Sequence, residues 1–210
     1  VTLFVGVALM LVTKADQIRL NLRQAFAFTT LSWLLVAAFA ALPFFFSTPG
    51  MSVADAFFES MSGITTTDAT VIAELDRAPA GLLLWRAMLQ WLGGIGIIIF
   101  ALAFLPMLKV GGMQLFRTEA FDTPEKVLPR AAQLAAGIGG IYVGFTVVIL
   151  AALWMAGMSG FDALCHALTS IATGGYSTRD ASIGAFSAPA IHWIIVVAMV
   201  AGCLPFVFYV

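Results

Sequence analysis

Apolar positions in this chain run in long uncharged stretches. Residues 25–46, 82–105, 131–156 and 190–210 each hold at most one charged side chain. A helix of about 20 apolar residues crosses a ~30 Å hydrocarbon core, so each stretch is predicted to span. Pro43 lies near the far end of the first span, where it costs a helix least, and Pro205 breaks the last. Val1–Val12 is about half a span. Two shorter stretches of mixed polarity sit between the spans, Val53–Gly63 and Met158–Ile171. Each is predicted to be a half-helix that stops inside the membrane and runs into a Thr/Gly-rich tail, at 64–70 and 172–179.

The two units are copies. Without a gap, and 107 residues apart, Asp55 aligns with Asp162, Ala56 with Ala163, Ile64 with Ile171, Thr66 with Thr173 and Thr70 with Ser177. Non-helical backbone at membrane depth survives only where protein or a water-filled cavity satisfies its polar groups. Two such segments in matching places of two repeats point to a transport site. A dehydrated cation needs several oxygens together, and rings of backbone carbonyls supply them. Gly174-Gly175 gives the second tail the freedom to turn carbonyls to one axis. The C-terminal end of each half-helix places about half a negative charge at mid-depth.

Composition agrees with the bilayer as solvent: of 210 residues, 61% are hydrophobic and 10% charged. The net charge of −1 gives no global attraction to nucleic acid. Loops 14–23 and 106–130 hold seven of the ten Lys and Arg residues, which predicts that they are cytoplasmic. Loops 47–82 and 157–189 then face outside. There Asp55, Glu59, Asp68, Glu74, Asp76, Asp162 and Asp180 outnumber Arg77, Arg86 and Arg179. That mouth concentrates cations. Arg86, near a span end, is expected to snorkel to the interface. Gly93-Gly94-Ile95-Gly96, and the glycines at 137, 139, 140 and 144, form faces for close backbone approach.

Other candidate chemistry is weak. Cys165 and Cys203 both lie in apolar stretches and read as small buried residues. Cys165 and His166 are neighbours, but adjacent helix positions point about 100° apart and no third group orients them. No acid–base or metal constellation appears, so no catalytic residue is assigned and an enzyme is not expected. His166 is expected to pack behind the filter, and His192 to lie at an interface. Asp55 and Asp162, in the first turn of each half-helix, are expected to cap it. Trp33, Trp85, Trp91, Trp154 and Trp193 read as span and interface residues. Both chain ends read as cut from a longer membrane protein.

These residues resemble the Trk/Ktr/HKT superfamily of potassium transporters, specifically its TrkH-like membrane subunits. The matching stretches are Phe57-Phe-Glu-Ser-Met-Ser-Gly-Ile-Thr-Thr-Thr67, Leu89-Gln-Trp-Leu-Gly-Gly-Ile-Gly-Ile-Ile98, Leu105-Pro-Met-Leu108, Gly111-Gly-Met-Gln-Leu115, Ile171-Ala-Thr-Gly-Gly-Tyr-Ser-Thr178 and Asp180-Ala-Ser-Ile183. The resemblance implies an all-α polytopic membrane protein of K⁺-channel-like architecture, built from repeated span–re-entrant pore helix–filter loop–span units. It implies potassium uptake through backbone carbonyls of four repeats, two of them in this chain. Residues 1–24 would be the remnant of an N-terminal helical hairpin with a cytoplasmic loop, 25–108 the first repeat, 109–130 a cytoplasmic linker and 131–210 the second repeat.

By the same resemblance the filter comprises Thr66, Thr67 and Asp68 in the first repeat and Thr173, Gly174 and Gly175 in the second. K⁺ would sit at Thr66, Thr67, Thr173 and Gly174. K⁺ is the transported ion, and no organic cofactor is implied. Asp68 stands where the family usually has glycine. Aspartate tolerates the left-handed backbone region better than most residues, so the shape is expected to survive. Its carboxylate is expected to lower K⁺ selectivity or throughput. Cys203-Leu-Pro-Phe206 departs from the family's polar pattern as well. The implied setting is the bacterial cytoplasmic (inner) membrane, crossed several times, with lipid around it. A homodimer is implied, with a TrkA-like nucleotide-binding regulatory subunit on the cytoplasmic side, where Gly111–Glu119 is expected to form a surface helix. Coupling to H⁺ or Na⁺ stays open. The alternative is a non-conducting half-transporter fragment or accessory membrane subunit, since two repeats cannot close a four-part filter.

Overall fold

A computed structural model describes residues 22–47, 50–108 and 127–209. Among these, all regular structure is helical. In chain order the helices are α1 (Leu22–Ala40), α2 (Leu42–Phe45), α3 (Val53–Ile64), α4 (Ala80–Leu108), α5 (Val127–Met155), α6 (Gly160–Ile171) and α7 (Pro189–Cys203). The linker predicted at 109–130, with its surface helix at 111–119, lies outside the described residues up to 126. Residues 127–130 already belong to α5.

Three helical stretches are long and apolar enough to cross a membrane: Phe26–Phe45, Ala80–Ile98 and Leu134–Met155. The chain is therefore part of a multi-pass membrane protein. The first is α1 continued by α2, with the pitch broken at Ala41 just ahead of Pro43. Proline removes one i→i−4 bond and crowds the preceding turn. The predicted fourth span is corrected. The helix α7 has only 15 residues, about 22 Å by helical rise, and it ends well before Val210. Leu204, forced out of the helical region by Pro205, is extended at φ −72° and ψ 141°. A 3₁₀ turn, Phe206–Tyr209, then packs back, with the Phe206 ring edge-on to Tyr142 and the Tyr209 hydroxyl donating to the Ala201 carbonyl at 3.2 Å.

Each repeat wraps its own core around its short helix. In the first, Ala37, Ala40, Phe44, Ala56, Ile64 and Leu89 are buried together. In the second, Ile138, Tyr142, Leu153, Ala163, Ala167 and Ile195 do the same. A third cluster, Ala87, Cys165 and Leu168, joins α4 of the first repeat to α6 of the second. The outward faces are apolar too: Phe26, Phe28, Leu31, Val147, Val148, Trp193 and Val197 are exposed. Large apolar patches on the outside suit lipid or further helices.

Candidate functional site

The short helices α3 and α6 have 12 residues each, about 18 Å, and cannot cross a bilayer. Both begin identically. Ser52 and Ser159 are the N-caps, each accepting from a backbone N–H three residues on, at Asp55 and Asp162. Each serine hydroxyl also donates to that aspartate, at 2.7 and 2.8 Å. The N-caps are therefore the serines, which the sequence reading had not named; Asp55 and Asp162 lie in the first turn as read and join the cap by holding the serine hydroxyl, not a backbone N–H.

Both helices also end identically. Thr66 N–H donates to Gly63 O and Thr67 N–H to Ser62 O, at 3.1 and 3.0 Å. Thr173 N–H donates to Ser170 O and Gly174 N–H to Thr169 O, at 3.0 and 2.9 Å. This is the Schellman closure, in which the residue just past the cap is left-handed. That residue is threonine in both copies, Thr66 at φ 56° and Thr173 at φ 53°. A β-branched residue in this region costs about 1–3 kcal/mol. Two residues on the backbone is left-handed again, at Asp68 (φ 69°) and Gly175 (φ 94°). The intervening Thr67 and Gly174 are not left-handed. Positive φ thus recurs at alternate residues of both tails, at matching places of the two copies.

The role predicted for the Gly174-Gly175 pair therefore needs correction. Gly175 uses glycine's freedom, whereas Gly174 is needed for space. A Cβ on Gly174 would overlap the amide of Gln90. Gln90 is fully buried and its Oε1 accepts from Tyr176 N–H at 3.1 Å, which pins the second tail to α4. Close approach also sets the glycines of the spans. A Cβ on Gly93 would overlap the Ile64 carbonyl oxygen, and one on Gly202 the Ile171 carbonyl oxygen. Each half-helix end is thus seated on a glycine of the long apolar helix that follows it, α4 or α7. Gly94, between the two units, would meet the Tyr142 hydroxyl at 2.7 Å and Ala172 at 3.0 Å.

Arg86 does not snorkel. Its side chain is 1% exposed and that of Glu59 0%, with Nε 2.7 Å from Glu59 Oε1. Its other nitrogens donate to Thr70 Oγ1 at 3.0 Å and to the Ser177 carbonyl at 3.3 Å. The guanidinium lies 4.0 Å over the Tyr176 ring. Thr70 in turn donates to both Glu59 oxygens, and Val71 N–H donates to Oε2. The Tyr176 hydroxyl donates to the Glu59 and Ala69 carbonyls. One buried ion pair therefore ties α3, α4 and both tails. The available signal was a lone base in an otherwise uncharged span and an acid inside a short helix at membrane depth; a buried charge is paired or functional.

The second repeat has His166 where the first has Glu59 and Ser177 where it has Thr70. His166 Nδ1 lies 2.7 Å from the Asp162 carbonyl, which can only accept, so Nδ1 carries the proton. Nε2 then accepts from the Ser177 hydroxyl at 3.1 Å. His166 packs behind the tail, as expected. His192 is exposed at the start of α7, with Nε2 2.9 Å from the Phe186 carbonyl oxygen. Asp162 does more than cap: Thr178 Oγ1 donates to it at 2.5 Å and Arg179 at 2.9 Å. Burial pushes its carboxyl up, but the hydrogen bonds from Thr178, Arg179 and Ser159 and the Arg179 charge outweigh this and hold it below the ordinary 3.8. Asp180 accepts from Leu75 N–H at 2.8 Å and clips the loop after the first tail to the loop after the second. Cys165 is buried as read, whereas Cys203 is exposed.

The six predicted filter residues fall in two adjacent tails. The Asp68 carboxylate faces Gly175, its Oδ2 2.6 Å from the position a Cβ would take there. Burial raises the Asp68 carboxyl above the ordinary 3.8, the Arg86 charge opposing and the Glu59 charge adding.

Comparison with known proteins accords with this geometry. The family described as "TrkH: Cation transport protein" matches residues 1–210. The Trk system potassium uptake protein TrkI of Halomonas elongata is 46% identical over 201 residues, covering 95% of this chain and 41% of that protein. The Trk system potassium uptake protein TrkH of Escherichia coli K12 is 45% identical over 207 residues, covering 97% and 43%. The crystal structure of the potassium transporter TrkH from Vibrio parahaemolyticus is similar with a TM-score of 0.81 at 42% identity, covering 93% of this chain and 39% of that one. The chain thus spans about two-fifths of the length of the curated relatives it matches.

Proposed function

The chain belongs to the TrkH family of cation transport proteins, and we propose from this that it supplies two quarters of a potassium filter. In this reading Thr66, Thr67 and Asp68 from one tail, and Thr173, Gly174 and Gly175 from the other, line the ion path. Carbonyls of Thr66, Thr67, Thr173 and Gly174 replace the ion's hydration shell. The helix ends behind them contribute negative potential. Two further span–pore-helix–tail units complete the ring. The division into a hairpin remnant (1–24), a first repeat (25–108), a linker (109–130) and a second repeat (131–210) goes with this reading.

The observation that carries it is the paired handedness: φ is positive at Thr66 and Asp68, and again at Thr173 and Gly175. Helix closure imposes this strain at equivalent places of two repeats, and strain kept at matching places is what a functional segment shows. The family is one of cation transporters rather than enzymes. The curated relatives named above are potassium uptake proteins, which supports K⁺ as the ion. The proposed setting is the bacterial inner membrane, as a homodimer, with a TrkA-like nucleotide-binding subunit on the cytoplasmic face.

The test is Rb⁺ against Na⁺ flux through the full-length protein that carries this chain, reconstituted in vesicles. Rb⁺ is expected to pass at least about tenfold faster, which corresponds to about 1.4 kcal/mol of discrimination. Equal Rb⁺ and Na⁺ flux, or no flux of either, would overturn the reading.

A further inference from the structure

One residue past Asp68 and Gly175 the two tails differ sharply in size: Ala69 stands in the first and Tyr176 in the second, again 107 residues apart. Tyr176 is 3% exposed, and its side chain leaves its own repeat. The hydroxyl lies 3.1 Å from the carbonyl oxygen of Ala69, its own counterpart, and 3.3 Å from that of Glu59. A carbonyl only accepts, so the single phenolic proton is shared between the two. The bond to Ala69 therefore joins the tails directly, just beyond the proposed filter residues of both. The tyrosine that makes it is fixed along its length. Its backbone N–H donates to Gln90 at 3.1 Å, its ring lies 4.0 Å beneath the Arg86 guanidinium, and a Cβ on Gly63 would stand 3.5 Å from the ring edge. Every partner named here belongs to the first repeat. Alanine at the matching place has no side chain to return the contact, so the bracing runs one way.

We propose that Tyr176 is a specificity-determining positioning residue: its side chain is a strut that sets the spacing of the two tails, and with it the preference for K⁺ over the smaller Na⁺. The proposal rests on the filter reading above. Carbonyl oxygens discriminate between ions by the space they leave and by how many reach the ion at once. Oxygens on two separate tails can close onto a smaller ion, and a buried side chain wedged between the tails opposes that closure. A tyrosine serves because its body is a rigid ring with two side-chain torsions and its tip is a hydrogen-bond donor. The hydroxyl touches none of the proposed ion ligands and acts through the Ala69 backbone.

The experiment compares Rb⁺ and Na⁺ uptake into vesicles by the full-length parent, Tyr176→Phe and Tyr142→Phe. Phenylalanine at 176 keeps the ring, the stacking under Arg86 and the bond to Gln90, and removes the hydroxyl alone. Tyr142→Phe removes another buried hydroxyl, one that donates to the Trp91 carbonyl at 3.0 Å and belongs to neither tail. A change that only destabilises lowers the amount of competent protein and scales both fluxes alike, so the Rb⁺/Na⁺ ratio separates a strut from a merely structural bond. The ratio is expected to fall at least about threefold in Tyr176→Phe, equivalent to about 0.7 kcal/mol, and to stay within about 1.5-fold of the parent in Tyr142→Phe. A second variant weakens the same bond from the acceptor side with Tyr176 intact. An ester in place of the peptide bond between Ala69 and Thr70 makes the Ala69 carbonyl a poorer acceptor, and it should lower the ratio in the same direction. A parent-like ratio in Tyr176→Phe, or an equal fall in Tyr142→Phe, overturns the proposal. Should Tyr176→Phe give no folded protein, a parent-like ratio in the ester variant overturns it. Equal Rb⁺ and Na⁺ flux in the parent itself instead overturns the filter reading, and the proposal with it.

Discussion

The buried pair of Glu59 and Arg86 gives the sharpest test of how this site is held. Replacing Arg86 with methionine keeps most of the side-chain volume. It removes the 2.7 Å bond to Glu59, the bond to Thr70, the bond to the Ser177 carbonyl and the cation stacked on Tyr176. A hydrogen bond to a charged group contributes about 1.5–3 kcal/mol and a desolvated cation–π contact about 2 kcal/mol, but these are not additive. The governing term is the charge left behind. Glu59 is fully buried, and breaking a buried pair by removing one partner costs about 3–5 kcal/mol. At about 1.4 kcal/mol per tenfold, that lowers the folded-to-unfolded ratio by roughly a thousandfold. Arg86→Met in the full-length protein should therefore melt more than about 5 °C lower in detergent. It should also lose Rb⁺ over Na⁺ preference, because both tails lose an anchor. Removing both charges together, as Glu59→Gln with Arg86→Met, should cost less than Arg86→Met alone, since no isolated charge remains. If Arg86→Met melts with the parent and keeps its ion preference, or if the double variant is as unstable as the single one, the pair does not hold the filter.

Three further outcomes follow from particular contacts. Alanine at Gly93 or Gly202 would overlap the carbonyl oxygen of Ile64 or Ile171, whereas nothing lies within 4 Å of a Cβ on Gly81 or Gly184. The first pair should abolish Rb⁺ uptake or folding, and the second pair should leave uptake within about twofold, as is usual for a surface change. Gln90→Met removes the acceptor for the buried Tyr176 N–H and should destabilise by about 1–3 kcal/mol, read as a lowered melting temperature. Asp162 is held below its ordinary 3.8, so its stabilising contribution is complete above that value and disappears as the pH falls through the lower folded value. Melting temperature should fall more steeply on acidification below pH about 4 in the parent than in Asp162→Asn, and superimposable profiles would refute the assignment.

Much of this site follows from order along the chain. The uncharged runs locate the three spanning stretches because hydrocarbon tolerates no unpaired charge. The gapless echo from Asp55 to Asp162 locates both half-helices within a residue or two of their ends. Equal spacing also equates Asp68 with Gly175, and aspartate's tolerance of the left-handed region was readable from its identity. Other features came only with packing. Polarity alone made Arg86 an interfacial residue, yet the α4 helix turns it inward onto a glutamate 27 residues earlier. Gly174 read as a source of backbone freedom for turning carbonyls to one axis, yet it makes room for Gln90. Nothing in the string marked Thr66 and Thr173 as left-handed, because threonine by itself disfavours that region. The strain is imposed by helix closure and by the carbonyl seats at Gly93 and Gly202. Local period and polarity thus determined the membrane course and the doubled half-helix. Contacts between distant residues decided how each tail is bent and what holds it, because a buried charge or a close backbone approach is defined only by the partner that the fold brings near.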